Sequence, residues 1–170
     1  MIPKYRVWNE TAGLANVINI DFREKELKVS HWEYGDSIYF PLDEVELMQS
    51  TGLKGYMSDS HEDDEEKDVY RGDIIDIFWE EWPMGYYQEN HMIGVVDKDE
   101  TGTAWIIKDA KYDFDTPKPI PSEIDGISVS MSLPDAEDLE EIFLHNFNLT
   151  SSDITILGNI YENPELLEEI

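Results

Sequence analysis

The sequence predicts an α+β fold that is mainly β, with antiparallel sheets, one substantial helix near 133–147 and a short C-terminal helix. Three observations support this prediction. Polar and apolar residues alternate along many short segments, which is the period of a half-buried strand. Apolar residues recur at helical spacing in one longer segment. Turn-forming residues such as Gly, Pro, Asn and Asp separate the short segments.

The alternating segments predict the strands. In one of them, Leu27, Val29 and His31 fall on the same face at a period of two. A later segment is expected to end at the turn Ser50-Thr51-Gly52, because these residues favour turns. The predicted strands lie at 4–9, 15–22, 26–34, 38–40, 44–49, 74–79, 91–97, 103–108, 124–131 and 154–160.

The helix near 133–147 has a recognisable start and an apolar face. Ser132-Leu133-Pro134-Asp135 fits a capped helix start, with Pro in the first turn and acids near the positive end of the helix dipole. Asn163-Pro164 predicts the start of a short last helix, Glu165–Ile170, by the same reasoning. The apolar face of the longer helix contains Ala136, Leu139, Ile142, Phe143 and Phe147.

The length and composition of the chain predict a single domain. The chain has 170 residues, of which 41% are apolar, including 5 Trp, 9 Tyr and 6 Phe. This is enough apolar material for one packed core at this length, so we assign residues 1–170 to one domain. Residues 57–68 show no periodicity and are interpreted as a solvated acidic loop.

The strong negative charge restricts the possible partners. The chain has 39 acidic and 12 basic residues and a net charge of −27. Residues 59–68 contain seven acids and one Lys, so the remaining residues still carry −21. Duplex DNA carries one negative charge per roughly 1.7 Å, so its binders need a basic surface. We therefore expect no direct binding to nucleic acid or to anionic membranes, whereas basic proteins and metal cations are favoured.

Other features predict a cytoplasmic protein. The chain contains no Cys, which suits a reducing cytosol and excludes disulfide and thiolate chemistry. Its start lacks the apolar stretch of a signal peptide. No apolar run approaches the ~20 residues that a membrane span requires.

Four short motifs occur in order along the chain, at Lys4–Trp8, Leu47–Leu53, Val69–Ile75 and Leu157–Leu167. They resemble the motifs of the YopX-like family of bacteriophage proteins, and they bracket nearly the whole chain. The resemblance implies a phage or prophage origin, and hence the cytoplasm of a bacterial host cell. It also implies a β-rich fold with a small-barrel segment, and self-association into a homo-oligomer. It brings no established activity with it.

Candidate sites for chemistry are few. The stretch Asp97-x-Asp99-x-Thr101-Gly102 matches the first half of an EF-hand calcium loop. The twelfth position, where calcium needs a bidentate Glu, is Lys108, so a hairpin turn is the better interpretation. Walker, nucleophile-elbow and dinucleotide-binding patterns do not occur. We therefore expect no enzymatic activity, no catalytic residues, no cofactor and no metal site.

The aromatic segment Phe78–Tyr87 is the best candidate for a binding surface. Trp, Tyr and Met are enriched at protein interfaces, although such a segment also suits the core of a barrel. The candidate partner contacts are Trp79, Trp82, Tyr86 and Tyr87.

These observations favour a non-enzymatic phage or prophage accessory protein that acts through protein–protein contacts and self-association. Its partners would be copies of itself and a basic host protein. One alternative is an acidic nucleic-acid mimic that blocks a host nucleic-acid-binding protein. The other alternative is a metal-assisted hydrolase that uses a cluster of carboxylates.

Overall fold

The computed structural model describes residues 4–31, 33, 35–58, 65–82, 85, 87–113, 123–124, 127–128 and 142–168. The described residues are mainly β, as predicted. They contain the strands β1 (Tyr5–Asn9), β2 (Gly13–Asp21), β3 (Glu26–His31), β4 (Gly35–Pro41), β5 (Glu46–Met57), β6 (Lys67–Tyr70), β7 (Asp73–Glu81), β8 (Gln88–Lys98), β9 (Trp105–Asp113), β10 (Glu123–Ile124), β11 (Ile127–Ser128), β12 (Ile142–Phe143) and β13 (Ile154–Asn159).

Eleven of these strands form one sheet, in the order β12-β9-β8-β7-β13-β5-β1-β2-β3-β4, with β6 added to β5 beside that path. The pairs are antiparallel except for β5 with β13, which run parallel. Strands β10 and β11 pair separately as a two-stranded sheet. The predicted antiparallel architecture is therefore largely confirmed.

The predicted small-barrel segment is wrong for the described strands. The sheet is open, because its path begins at β12 and ends at β4 without these two strands meeting. A barrel requires the first and last strands of a sheet to pair with each other. No closed barrel is present in the part of the chain that the structure describes.

The predicted helix near 133–147 is also wrong where it can be compared. Residues 133–141 lie outside the described residues. Ile142 and Phe143 instead form β12, which pairs with Ile107 and Ile106 of β9, and a 3₁₀ turn follows at Leu144–Asn146. Pairing with β9 satisfies backbone groups that a helix would have satisfied internally. Ile142 and Leu144 are both buried in the core, so tertiary packing outweighs the local helical spacing.

The described residues contain no α-helix, and those near the C-terminus differ from the prediction; residues 169–170 of the predicted helix lie outside the described residues. The short helix expected at Glu165–Ile170 is a 3₁₀ turn at Pro164–Leu167, after which Glu168 donates its N–H to Glu165. Pro occupies the first turn, as predicted. Four residues are too few for the i to i−4 hydrogen bonds of an α-helix to accumulate.

Two boundaries in the middle of the chain differ from the prediction. The turn expected at Ser50-Thr51-Gly52 does not end its strand, because β5 continues to Met57 while Gly52 adopts a left-handed φ of 85°. The acidic loop predicted at 57–68 is shorter, since Met57 belongs to β5, and Lys67 and Asp68 begin β6. Residues 59–64 of that loop lie outside the described residues.

The buried residues form two clusters, one in each half of the sheet. The first half comprises β1 to β4 with the start of β5, and the second comprises β7, β8, β9, β12 and β13. Strand β5 pairs with β1 at one end and with β13 at the other, so it connects the halves. The first cluster contains Val7, Ala15, Leu27 and Val29, and the second contains Val69, Ile75, Ile77, Met92, Val96, Ile107, Ile142, Leu144, Ile154 and Ile156.

Candidate functional site

The halves of the sheet meet at a buried ion pair, which we call the junction. Arg6 of β1 donates a hydrogen bond from Nη2 to Oδ1 of Asp73, the first residue of β7. Asp73 is fully buried and Arg6 is largely buried. The guanidinium lies over the Tyr70 ring, 4.6 Å from the ring centroid, and Tyr70 donates its N–H to Oδ2 of Asp73 at 2.8 Å. Met48 of β5 lies opposite Arg6 in the strand register.

The C-terminal motif completes the junction. Tyr161 stacks on Trp8, with ring centroids 5.2 Å apart and planes 17° apart. The Oδ1 atom of Asn159 accepts the N–H groups of Tyr161 and Glu162, each at 3.0 Å, which fixes the turn after β13. All four motifs identified in the sequence therefore meet at the junction, although they lie far apart along the chain.

Two glycines of these motifs are explained by the junction. Gly72 has a φ of 85°, a left-handed conformation that other residues adopt only with strain, and its carbonyl accepts the N–H of Ile160 at 3.0 Å. Gly158 packs directly against the side chain of Asn163, which a Cβ atom at this position would overlap. Both glycines therefore determine the fold where the motifs meet.

The electrostatics of the junction are dominated by burial. Burial raises the pKa of Asp73 to about 6, whereas Arg6 and the Tyr70 N–H favour the charged carboxylate and oppose this rise. Asp73 is thus mostly ionised at neutral pH, where it pairs with Arg6. A carboxyl with such a pKa can be catalytic, but it can equally belong to a structural ion pair.

A cleft lies beside the junction, between β2 and β13. Its volume is about 720 Å³, and Arg6, Tyr70, Asp73, Asn16 and Asn159 are among its lining residues. Two acids at its rim are paired with bases: Asp68 with Lys4 at 2.7 Å, and Glu66 with Lys54 at 3.3 Å. Within the described ranges, no three His, Asp or Glu side chains are grouped so that they could hold a metal ion.

The aromatic residues at the end of the β7–β8 hairpin form a second candidate site. The rings of Trp82 and Tyr87 touch, with centroids 5.4 Å apart, and their residues are 59% and 43% exposed. The Tyr87 hydroxyl lies 2.5 Å from Glu89 Oε1 and 2.7 Å from Glu80 Oε1. Glu80 and Glu89 face each other in the strand register. We call Glu80, Trp82, Tyr87 and Glu89 the hairpin site.

The hairpin site has two carboxylates but only one hydroxyl donor between them. Its two carboxylates lie within hydrogen-bonding distance of the Tyr87 hydroxyl and raise the pKa of that hydroxyl, with Glu89 as the larger cause. A hydroxyl has one proton and can donate to only one of the two carboxylates at a time. The site therefore combines exposed aromatic rings with more acceptors than donors, an arrangement that suits a cation.

Of the four aromatic residues that the sequence analysis selected, the three that the structure describes differ in their exposure to solvent. Trp82 and Tyr87 are exposed and in contact, so they remain candidates for a partner contact. Trp79 is half-buried and packs on Phe147, with ring centroids 5.6 Å apart, beside the second core cluster. Tyr86 lies outside the described residues.

The calcium-like stretch is a hairpin turn, as the sequence analysis favoured. Asp97 at the end of β8 accepts hydrogen bonds from Lys108 at 2.6 Å and from Arg71 at 2.7 Å. Burial opposes the charge on Asp97, but these bonds and the Lys98 N–H outweigh it and lower the pKa of the carboxyl. Asp99 accepts the N–H groups of Thr103 and Ala104, each at 2.8 Å, and thereby shapes the turn.

The sequence analysis missed the Arg6–Asp73 ion pair. One signal was present in the sequence, because Asp73 directly precedes the apolar residues Ile74 and Ile75, which are both fully buried. A charged residue next to such a strand is usually paired. The partner could not be named from the sequence, because Arg6 is 67 residues away along the chain.

The fold and the junction define a mainly β protein in which four short motifs hold the two halves of one open sheet together. The chain belongs to the YopX protein family, because the model of that family matches residues 4–168. The resemblance inferred from the four motifs is thereby confirmed. No curated protein and no solved structure matches the chain. Among the described residues, no helix combines the length and the hydropathy needed to cross a membrane.

Proposed function

We propose that this protein is a non-enzymatic phage or prophage accessory protein that acts in the cytoplasm of a bacterial host by binding other proteins. Its partners are a basic host protein and further copies of itself. Membership of the YopX family supports the phage assignment. The net charge of −27 supports the choice of a basic partner over a nucleic acid.

The observation that carries this proposal is the exposure of Trp82 and Tyr87 beside two carboxylates. A Lys or Arg side chain of the partner would lie against the Trp82 ring and hydrogen-bond to Glu80 or Glu89. This contact combines a cation–π interaction with a charge-assisted hydrogen bond. Exposed Trp and Tyr residues are also the types that most often dominate binding energy at interfaces.

The charge of the whole chain has a different role from that of the hairpin site. A charge spread over the surface accelerates the encounter with a basic protein and weakens as salt is added. It adds less to affinity than a desolvated aromatic contact does. Partner binding should therefore depend on salt mainly through its association rate, and on Trp82 mainly through its dissociation rate.

Calorimetry with a synthetic Lys- and Arg-rich peptide tests the hairpin site. Trp82→Ala should weaken binding about tenfold at about 0.15 M salt, because it removes the exposed ring. Tyr39→Ala is the matched control, since Tyr39 is as exposed as Trp82, at 59%, but lies on β4. It should leave the affinity within about twofold of the unmodified protein.

Two results would count against the proposal. Equal binding by the unmodified protein and Trp82→Ala would mean that charge alone attracts the peptide and that the hairpin site has no part in it. Binding to duplex or single-stranded DNA in a gel-shift assay at about 0.15 M salt would contradict the choice of a protein partner.

A further inference from the structure

Strand β4 ends the path of the eleven-stranded sheet. It pairs with β3 on one side, and no described strand pairs with its other side. An edge strand presents a row of N–H and C=O groups to any strand that comes beside it. Soluble proteins usually protect such edges with charged side chains or an interior Pro. Gly35–Pro41 has one charged residue, Asp36, and its Pro is the last residue.

Exposed apolar side chains lie at the same end of the sheet. Tyr39 on β4 is 59% exposed, and Phe22 in the turn between β2 and β3 is 76% exposed. Ile18 on β2 is 50% exposed. Ile18 and Tyr39 lie two strands apart, since Asn19, next to Ile18, lies opposite Lys28, which lies opposite Tyr39. The turn that contains Phe22 reaches the end of β4, where Leu42 donates its N–H to the Lys25 carbonyl. Grouped exposed apolar residues commonly mark an interaction surface.

The local charge of this end differs from that of the rest of the chain. Residues 18–41, which include β4, contain five acids and three bases, whereas the remaining residues contain 34 acids and 9 bases. A two-fold symmetric interface places one patch against an identical patch, so a patch of one sign repels its copy. A patch of mixed signs with a small net charge repels its copy far less. On a chain of charge −27, residues 18–41 carry only −2, so this end of the sheet presents little repulsion to a second copy.

We propose that two copies of this chain associate through β4, whose strands pair antiparallel across a two-fold axis, with Tyr39 and the nearby Phe22 at the contact. This inference rests on the self-association proposed above and names its surface. Pairing satisfies, in both copies, the edge of β4 that no described strand pairs with. The two copies repel each other at long range because each carries −27, so added salt strengthens the association.

Sedimentation equilibrium over a range of protein concentrations tests this proposal. The unmodified chain should form a dimer, and the double variant Phe22→Ser/Tyr39→Ser should weaken its association at least about tenfold. Trp82→Ser is the matched control, because Trp82 is as exposed as Tyr39 but belongs to the hairpin site. It should leave the dimer unchanged. Hydrogen exchange should show β4 amides that become more protected as the protein concentration rises.

The outcomes separate this proposal from the one on which it rests. A chain that is monomeric at all concentrations contradicts both the β4 surface and self-association. A dimer that persists in Phe22→Ser/Tyr39→Ser and leaves the β4 amides unprotected contradicts the β4 surface alone. Loss of the dimer in Trp82→Ser would place self-association at the hairpin site instead. Thermal unfolding of each variant confirms that these exposed substitutions leave the fold intact.

Discussion

At the scale of single residues, Arg6 and Asp73 determine how the junction responds to pH. Burial raises the pKa of Asp73 to about 6, from 3.8. The folded state then holds a proton on Asp73 more tightly than the unfolded state does. This contribution favours folding below pH ~4 and is lost as the pH rises to about 6. Arg6 limits the loss because it stabilises the carboxylate.

Removing Arg6 should therefore destabilise the protein in a pH-dependent way. Arg6→Met should lower the free energy of unfolding by about 3 kcal/mol at about pH 7.5, because it leaves a buried carboxylate without its partner. At about pH 5 the loss should be smaller, since Asp73 then takes up a proton and no buried charge remains. Urea unfolding at the two pH values measures both losses.

A neighbouring ion pair provides the control for this prediction. Lys4 pairs with Asp68 at 2.7 Å, but Lys4 is exposed to solvent. Lys4→Met should therefore cause no measurable loss of stability at either pH. An equal loss in Arg6→Met at both pH values would mean that the guanidinium acts by packing on Tyr70 and not through Asp73.

At the scale of elements, the sequence predicts strands well where alternation and burial agree. Leu27 and Val29 alternate with polar residues, and both are buried on the same face of β3. The prediction fails at Ile142 and Phe143, because their spacing also fits a helix and local periodicity contains no information about β9. The prediction also fails at Gly52. Gly is typical of turns, but here β5 continues through Gly52, which adopts a left-handed φ within the strand.

Leu144 distinguishes the observed structure from the predicted helix. It lies outside the apolar face that the helix would have presented, yet it is buried in the second core cluster. Leu144→Ala should lower the free energy of unfolding by about 2–5 kcal/mol, as for other buried Leu residues. The adjacent His145 is exposed, so His145→Ala should change the free energy of unfolding by less than about 0.5 kcal/mol.

The measurement for this prediction is chemical denaturation of both variants under the same conditions. If Leu144→Ala left the free energy of unfolding unchanged, this result would contradict the packing of the 3₁₀ turn at Leu144–Asn146. An equal loss of stability in Leu144→Ala and His145→Ala would also contradict it. Such a result would mean that the loss comes from a disturbed backbone and not from the burial of Leu144.

At the scale of the whole molecule, the sequence alone identifies the family and the acidic character, but not how the motifs are arranged. The four motifs were recognisable one by one, whereas their meeting around Arg6, Asp73 and Tyr161 depends on strand pairings between distant segments. The aromatic candidates were recognisable by residue type. Only the fold separates the exposed Trp82 and Tyr87 from the half-buried Trp79.

The central claim is that the hairpin site binds a basic partner, and capture from host lysate tests it most directly. The unmodified chain at about 0.15 M salt should retain a basic host protein, and a wash at higher salt should release it. The folded double variant Trp82→Ala/Tyr87→Ala should lose this protein, whereas Tyr39→Ala should keep it. Equal capture by both variants, or capture of an acidic protein, would contradict the claim.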